Sequence, residues 1–180
     1  MTYETIFAGF GGQGILFAGK TIAYSGLMDN KEISWLPSYG PEMRGGTANV
    51  CVILSDRKIS SPIVTKYDTV IALNQQSLDK FQNSVKPGGL LIYDPNGINN
   101  PPTRTDVKIC KIDAINVAAK VGNAKVYNMA VMGAFLKMKP IISFENIDKG
   151  LAKCIPARYA DLISLNKAAI VEGMNAVEEL

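Results

Sequence analysis

Apolar residues in the first two-thirds of the chain fall in short runs, separated by longer amphipathic stretches. Thr5–Gly9 is a short apolar run and reads as a strand. Ile15–Gly26 has the length of a helix and one charged residue, Lys20, so it is expected to be buried on most sides. Asn30 and Lys31 lead into a second strand, Glu32–Leu36, followed by a proline- and glycine-rich loop, Pro37–Gly46. Thr47–Leu54 (TANVCVIL) is the strongest strand pattern. Ten residues separate it from the second strand. A parallel crossover needs a dozen or more, so this strand is expected to run antiparallel, near an edge.

Ser61-Pro62 reads as a helix start, continuing to Lys66. Tyr67–Leu73 is the next strand. Helix Ser77–Val85 carries Leu78, Phe81 and Val85 on one face and is expected to stop at Pro87-Gly88-Gly89. Leu90–Tyr93 is a buried strand ending in Asp94-Pro95-Asn96-Gly97, a turn by its chemistry. Val107–Ile112 is a further strand. Helices follow at Ala114–Val121, Asn128–Met138, Ser143–Cys154 and Leu162–Glu179. The alternation predicts an α/β fold, with a mostly parallel sheet and an antiparallel strand. The 180 residues suit one domain with a sizeable core.

Composition narrows the chemistry. A net charge of +3, scattered along the chain, does not argue for nucleic acid. No apolar run approaches a membrane span, and no signal peptide is evident. The three cysteines, Cys51, Cys110 and Cys154, stand apart with no C-x-x-C pair, which disfavours a zinc or iron–sulfur site and suits a reducing cytoplasm. Histidine is absent, which removes the commonest general acid/base and metal ligand. No catalytic residue is assigned, nor any metal site.

Chemistry concentrates in two loops. GFGGQG, Gly9 to Gly14, has G-x-G-x-x-G spacing. Gly9 and Gly11 are expected to supply positive φ, and Gly14 to let the helix pack close to the strand. Gln13 adds a donor and acceptor at the mouth. The helix N-terminus favours an anionic group there. NAD would require a carboxylate about 20 residues on, at the end of the second strand. Asp29 and Glu32 lie at the wrong end of that strand, and Leu36-Pro37-Ser38-Tyr39 offers none. The Lys-Ser/Thr pair of a P-loop is also missing. Dinucleotide, another anion, a partner protein and an unoccupied turn all remain open. In the second loop, SYGPEMRGG, Arg44 beside Gly45 and Gly46 offers a planar fork to phosphate or carboxylate. The plainer reading is a solvated turn with Arg44 paired to Glu42. Both loops should emerge at one end of the sheet, because both follow carboxyl ends of strands running the same way.

GFGGQG with PSYGPEMRGG, and the later VILSDRKISSPIVTKYDTVIALN and VKPGGLLIYD, resemble the gamma subunit of the 2-oxoacid:ferredoxin oxidoreductases, most closely the stand-alone 2-oxoglutarate type. The resemblance covers nearly the whole chain. It implies a Rossmann-like three-layer α/β/α module packed on catalytic alpha and beta subunits, with a delta subunit in some complexes. It implies a complex that decarboxylates a 2-oxoacid on thiamine diphosphate and Mg2+. Iron–sulfur clusters carry electrons to ferredoxin, and the acyl group passes to coenzyme A. No cofactor is expected on this chain alone. Gly9, Gly11, Gly12, Gln13 and Gly14 match the family's first loop. Ser38, Tyr39, Gly40, Pro41, Glu42, Arg44, Gly45 and Gly46 match its second. An independent NAD- or FAD-dependent oxidoreductase, or a nucleotide-sensing scaffold, is the competing class.

Gly133, with Ala130 and Ala134, hints at close helix packing, against this chain's core or another subunit. The last helix carries Ile163, Ile170, Val171, Met174 and Val177, a core stripe or a docking face. Trp35 and Tyr39 suit either an interface or a covered core.

Overall fold

The fold is described from a computed structural model covering residues 1–40 and 46–180. Its frame is one seven-stranded sheet in the order β2-β3-β1-β4-β5-β6-β7. β1 (Thr2–Phe10), β4 (Tyr67–Ala72), β5 (Val85–Tyr93) and β6 (Lys108–Lys111) are parallel. β2 (Glu32–Tyr39) and β3 (Thr47–Ser55) form a hairpin, and β3 lies antiparallel between β2 and β1. The short connection forces this arrangement, as expected from sequence. β2 extends three residues past Leu36, through Pro37. An edge strand tolerates proline because only one side of its backbone needs partners.

Side-chain alternation divides the core in two. Tyr3, Phe7, Ile71, Leu90 and Ile92 face one side, while Ile6, Val70, Leu91 and Tyr93 face the other. The first side is covered by α1 (Ile15–Met28), α3 (Ala114–Val121), α4 (Tyr127–Met138), α5 (Phe144–Cys154) and α6 (Leu162–Ala176). The other has one short helix, α2 (Gln75–Phe81), with irregular segments supplying Ile59 and Val64.

Several boundaries differ from the sequence expectations. No helix forms at Ser61–Lys66. The Ser61 hydroxyl accepts from the Ile63 N–H at 3.1 Å, a local turn rather than a cap, and β-branched Ile63, Val64 and Thr65 disfavour helix. α2 starts two residues early because Asn74 caps it, its Oδ1 accepting from the Ser77 N–H at 2.8 Å. Pro87-Gly88-Gly89 does not stop a helix. It lies inside β5, where the register against β4 shifts between Tyr67 and Thr69. The last helix ends at Ala176, because Val177 turns extended and Glu178–Glu179 form β7, antiparallel to β6. Ion pairs Lys111–Glu178 at 2.9 Å and Lys108–Glu179 at 2.7 Å accompany that pairing.

Gly133 packs against this chain's own core. A Cβ there would overlap the Ile170 carbonyl, and one at Gly173 would overlap the Ala130 carbonyl, so α4 and α6 touch backbone to backbone at both points. Most of the α6 stripe packs inward, with Ile170 buried, while Val171 is exposed.

Gly133→Ala should destabilise the fold by about 1–3 kcal/mol, through overpacking, read as a lower urea midpoint at unchanged slope. A second expectation concerns the buried thiols. Burial pushes Cys51 and Cys110 up to about 11 each. The unfolded thiol titrates near 8.5. The folded state therefore holds these protons more tightly, and their contribution is fully present below about pH 8.5. It is lost as pH rises toward 11, with a slope of up to about 1.4 kcal/mol per pH unit for each thiol. Urea midpoints at pH 7, 9 and 10 should fall in that order, and a Cys51→Ala, Cys110→Ala variant should flatten the fall.

Candidate functional site

The exit of β1 is built by glycine geometry and one glutamine. Positive φ occurs at Gly12 (102°) and Gly14 (72°), not at Gly9 and Gly11 as the spacing suggests. Gly9 instead makes room for packing, since a Cβ there would meet the Ile15 side chain at 2.7 Å. Gly14 makes room for α4 rather than for a strand, since its Cβ would meet the Asn128 amide at 2.7 Å. Asn128 Nδ2 donates to the Gly14 carbonyl at 3.0 Å. Gln13 does not stand free at the mouth. Its Oε1 accepts from the Phe10 N–H at 2.6 Å and its Nε2 donates to the Leu73 carbonyl at 3.4 Å.

The described parts of the two loops meet. The Gly11 N–H donates to the Gly46 carbonyl at 2.9 Å, and the Gly40 N–H to the Thr47 carbonyl at 2.8 Å. Pro41, Glu42, Arg44 and Gly45 lie outside the described residues, and with them the expected Arg44–Glu42 pair. Ser38 and Tyr39 end β2. Tyr39 is 49% exposed and Trp35 37% exposed, so neither is covered by the described chain. Phe10, Phe17 and Tyr39 border a small cleft of about 210 Å3 where the loops join.

A larger cleft of about 780 Å3 opens beside Gly12–Gly14, beyond the carboxyl ends of β4 and β5. Its walls include Phe17, Leu73, Leu162 and Leu165, with Asp94, Lys125, Tyr127 and Asn128 as polar members. The starts of α1, α4 and α6 line it, so their positive ends converge there. α1 begins at Gly14 with no side-chain cap and no acidic residue in its first turn. Asp94 is 1% exposed. Burial, then the nearby Asp94 charge, holds the Tyr127 phenol above its ordinary pKa.

Sequence reasoning placed Asp94 in a turn, and it is one: Asp94 Oδ1 accepts from the Asn96 N–H at 2.9 Å. It did not place Asp94 in a cleft with GFGGQG. The signal was the alternation Leu90, Ile92, Asp94, which puts all three on the helix-rich face. The acidic candidates near the second strand do other work. Asp29 accepts from the Ser143 N–H at 2.8 Å, tying α1 to the start of α5, while Glu32 opens β2. The cysteines do not converge: Cys51 and Cys110 lie on opposite faces of the sheet and Cys154 on α5. Among the described residues no group of three His, Cys, Asp or Glu could hold a metal ion. No described helix is long and apolar enough to cross a membrane.

Comparison with known proteins agrees with this architecture. The ketoisovalerate oxidoreductase subunit VorA of Methanothermobacter thermautotrophicus is 37% identical over 131 residues, which is 73% of this chain and 27% of VorA. The chain thus spans about a quarter of that relative's length. The 2-oxoglutarate synthase subunit KorC of Methanocaldococcus jannaschii is 33% identical over all of this chain and 96% of its own. The crystal structure of a keto/oxoacid ferredoxin oxidoreductase gamma subunit from Geobacter sulfurreducens superposes with a TM-score of 0.83 at 28% identity, covering 99% of each chain. Residues 4–176 match the family model described as pyruvate ferredoxin/flavodoxin oxidoreductase, and the chain belongs to that family.

Proposed function

We propose that this chain is the gamma subunit of a cytoplasmic 2-oxoacid:ferredoxin oxidoreductase of the 2-oxoglutarate type. In this reading the alpha and beta subunits, with a delta subunit where present, hold thiamine diphosphate, Mg2+ and the iron–sulfur clusters. The complex converts the 2-oxoacid to its acyl-CoA and reduces ferredoxin, and the gamma subunit does no bond chemistry itself. The carrying observation is the change of coverage between relatives. The same module is nearly a whole KorC but about a quarter of VorA. A module that is separate in one relative and part of a longer chain in another belongs beside what the longer chain carries. The absence of histidine fits a non-catalytic role.

The docking edge in this reading is the end of the sheet where the two loops are bonded together. Exposed Trp35 and Tyr39 on the edge strand beside it are residue types enriched at interfaces. The loops then meet the alpha/beta core near the point where coenzyme A arrives, with Arg44 facing an acidic group.

Purification of the tagged chain from its native cytoplasm should bring down thiamine-diphosphate and iron–sulfur subunits, with 2-oxoglutarate giving the highest kcat/KM for ferredoxin reduction. Purification without such subunits would refute the assignment. Arg44→Ala should weaken assembly or raise the apparent KM for coenzyme A. An assembled complex with unchanged kinetics would remove that role for the loop.

A further inference from the structure

The face of the sheet away from the five helices carries a segment that neither glycine loop touches. Residues 56–66 follow β3, which is nine residues long, so they leave the sheet roughly 30 Å from those loops, at its other end. The segment holds the Ser61-Pro62 pair that starts no helix, and it is pinned by other means. Ile59 and Val64 pack into the core, and the Tyr67 hydroxyl donates to the Val64 carbonyl at 3.2 Å. The Ser61 hydroxyl accepts from the Ile63 N–H at 3.1 Å. Between these anchors Ile63 stands 75% exposed. An apolar side chain held out on an anchored segment adds nothing to this core, and a partner that covers it orders little further chain.

The charges around Ile63 have one sign. Arg57, Lys58, Lys66 and Lys80 are exposed, and none pairs with a carboxylate among the described residues. Lys66 Nζ donates to the Asn83 carbonyl at 2.7 Å, and Lys80 lies 5.1 Å from the centre of the Phe81 ring. Phe81 meets Tyr67 edge-on, 6.4 Å between ring centres, which brings α2 against the segment. The carboxylates on this side are already engaged. Asp56 pairs with Lys31, Glu4 and Asp68 pair with Lys86, and Asp106 pairs with Arg104. Asp79 accepts from Gln75 at 2.8 Å. Cations around one exposed aliphatic side chain fit an acidic protein surface with an apolar pocket. The buried anchor supplies affinity, and the charges supply encounter rate and orientation. Isoleucine offers no ring for bases to stack on, so single-stranded nucleic acid fits less well.

We propose that residues 57–66, with Lys80, form a second docking surface, and that its occupant is an acidic patch of the alpha/beta core. The inference rests on the gamma-subunit reading. Ile63 inserts into the core as the apolar anchor, and the four cations face carboxylates around it. The chain is then held at both ends of β3, by the paired loops at one end and by this segment at the other.

Sedimentation of the purified full chain with its purified alpha/beta core tests it. Ile63→Ser should weaken association roughly tenfold, the effect of leaving one buried aliphatic side chain out of the interface. Arg57→Glu combined with Lys58→Glu should weaken it at least as much. Raising salt from about 0.05 to 0.5 M should weaken the unaltered chain and change this double variant far less. Lys137→Glu combined with Lys153→Glu makes the same charge change at exposed sites on the helix-rich face and should leave association unchanged. All these side chains are exposed, so urea midpoints should match the unaltered chain. Undiminished association of either Ile63→Ser or the Arg57, Lys58 variant would overturn this surface while leaving the subunit assignment standing. Equal weakening by the Lys137, Lys153 variant would reduce the effect to net charge and overturn it too. No association of the unaltered chain would overturn both readings.

Discussion

The chain end of β1 is held by one amide side chain. Gln13 takes the Phe10 N–H with its oxygen and gives its nitrogen to the Leu73 carbonyl, so it closes the turn on β1 and fastens it to the neighbouring strand β4. The Gly11 N–H completes the clamp by reaching Gly46, at the base of the β3 side of the hairpin. Each such bond adds only about 1 kcal/mol. Their importance is positional. β1 is the strand at which the antiparallel hairpin meets the parallel set, and from its end α1 is launched and both clefts open.

The uneven covering of the sheet explains where the larger cleft lies. Five helices share one face, and four of them, α1, α3, α4 and α6, begin at the carboxyl end of the parallel strands. α4 and α6 are pinned backbone to backbone by Gly133 and Gly173, which fixes their spacing and leaves an opening between their starts and the strand ends. Converging helix N-termini favour negative charge. Asp94 lies buried among them, beside the Tyr127 phenol.

The two ends of chemistry on this molecule are separable. The hairpin side presents exposed aromatic residues and a paired loop edge, suited to another protein surface. The cleft side presents a partly apolar wall with a few convergent polar groups, suited to a small molecule. GFGGQG lies between them, with Gly11 facing the hairpin and Gly12 to Gly14 facing the larger cleft.

Local pattern alone determined most elements. The first helix, expected over Ile15–Gly26 and observed over Ile15–Met28, the antiparallel β3 and the span of Ala114–Val121 follow from hydrophobic period, connection length and punctuation, all of which act within a few residues. The family resemblance rested on the two loops and held along the chain. Local pattern misread Ser61–Lys66, Pro87–Gly89 and Glu178–Glu179, where sheet pairing or packing overrode short-range preference. Tertiary structure alone decided what the site residues touch. Gln13 turns inward because Leu73, 60 residues away, offers a carbonyl. Gly14 is required by Asn128, 114 residues away. Asp94 joins the first loop because β4 separates β5 from β1 in the sheet, an order set by long-range strand pairing that no local spacing encodes.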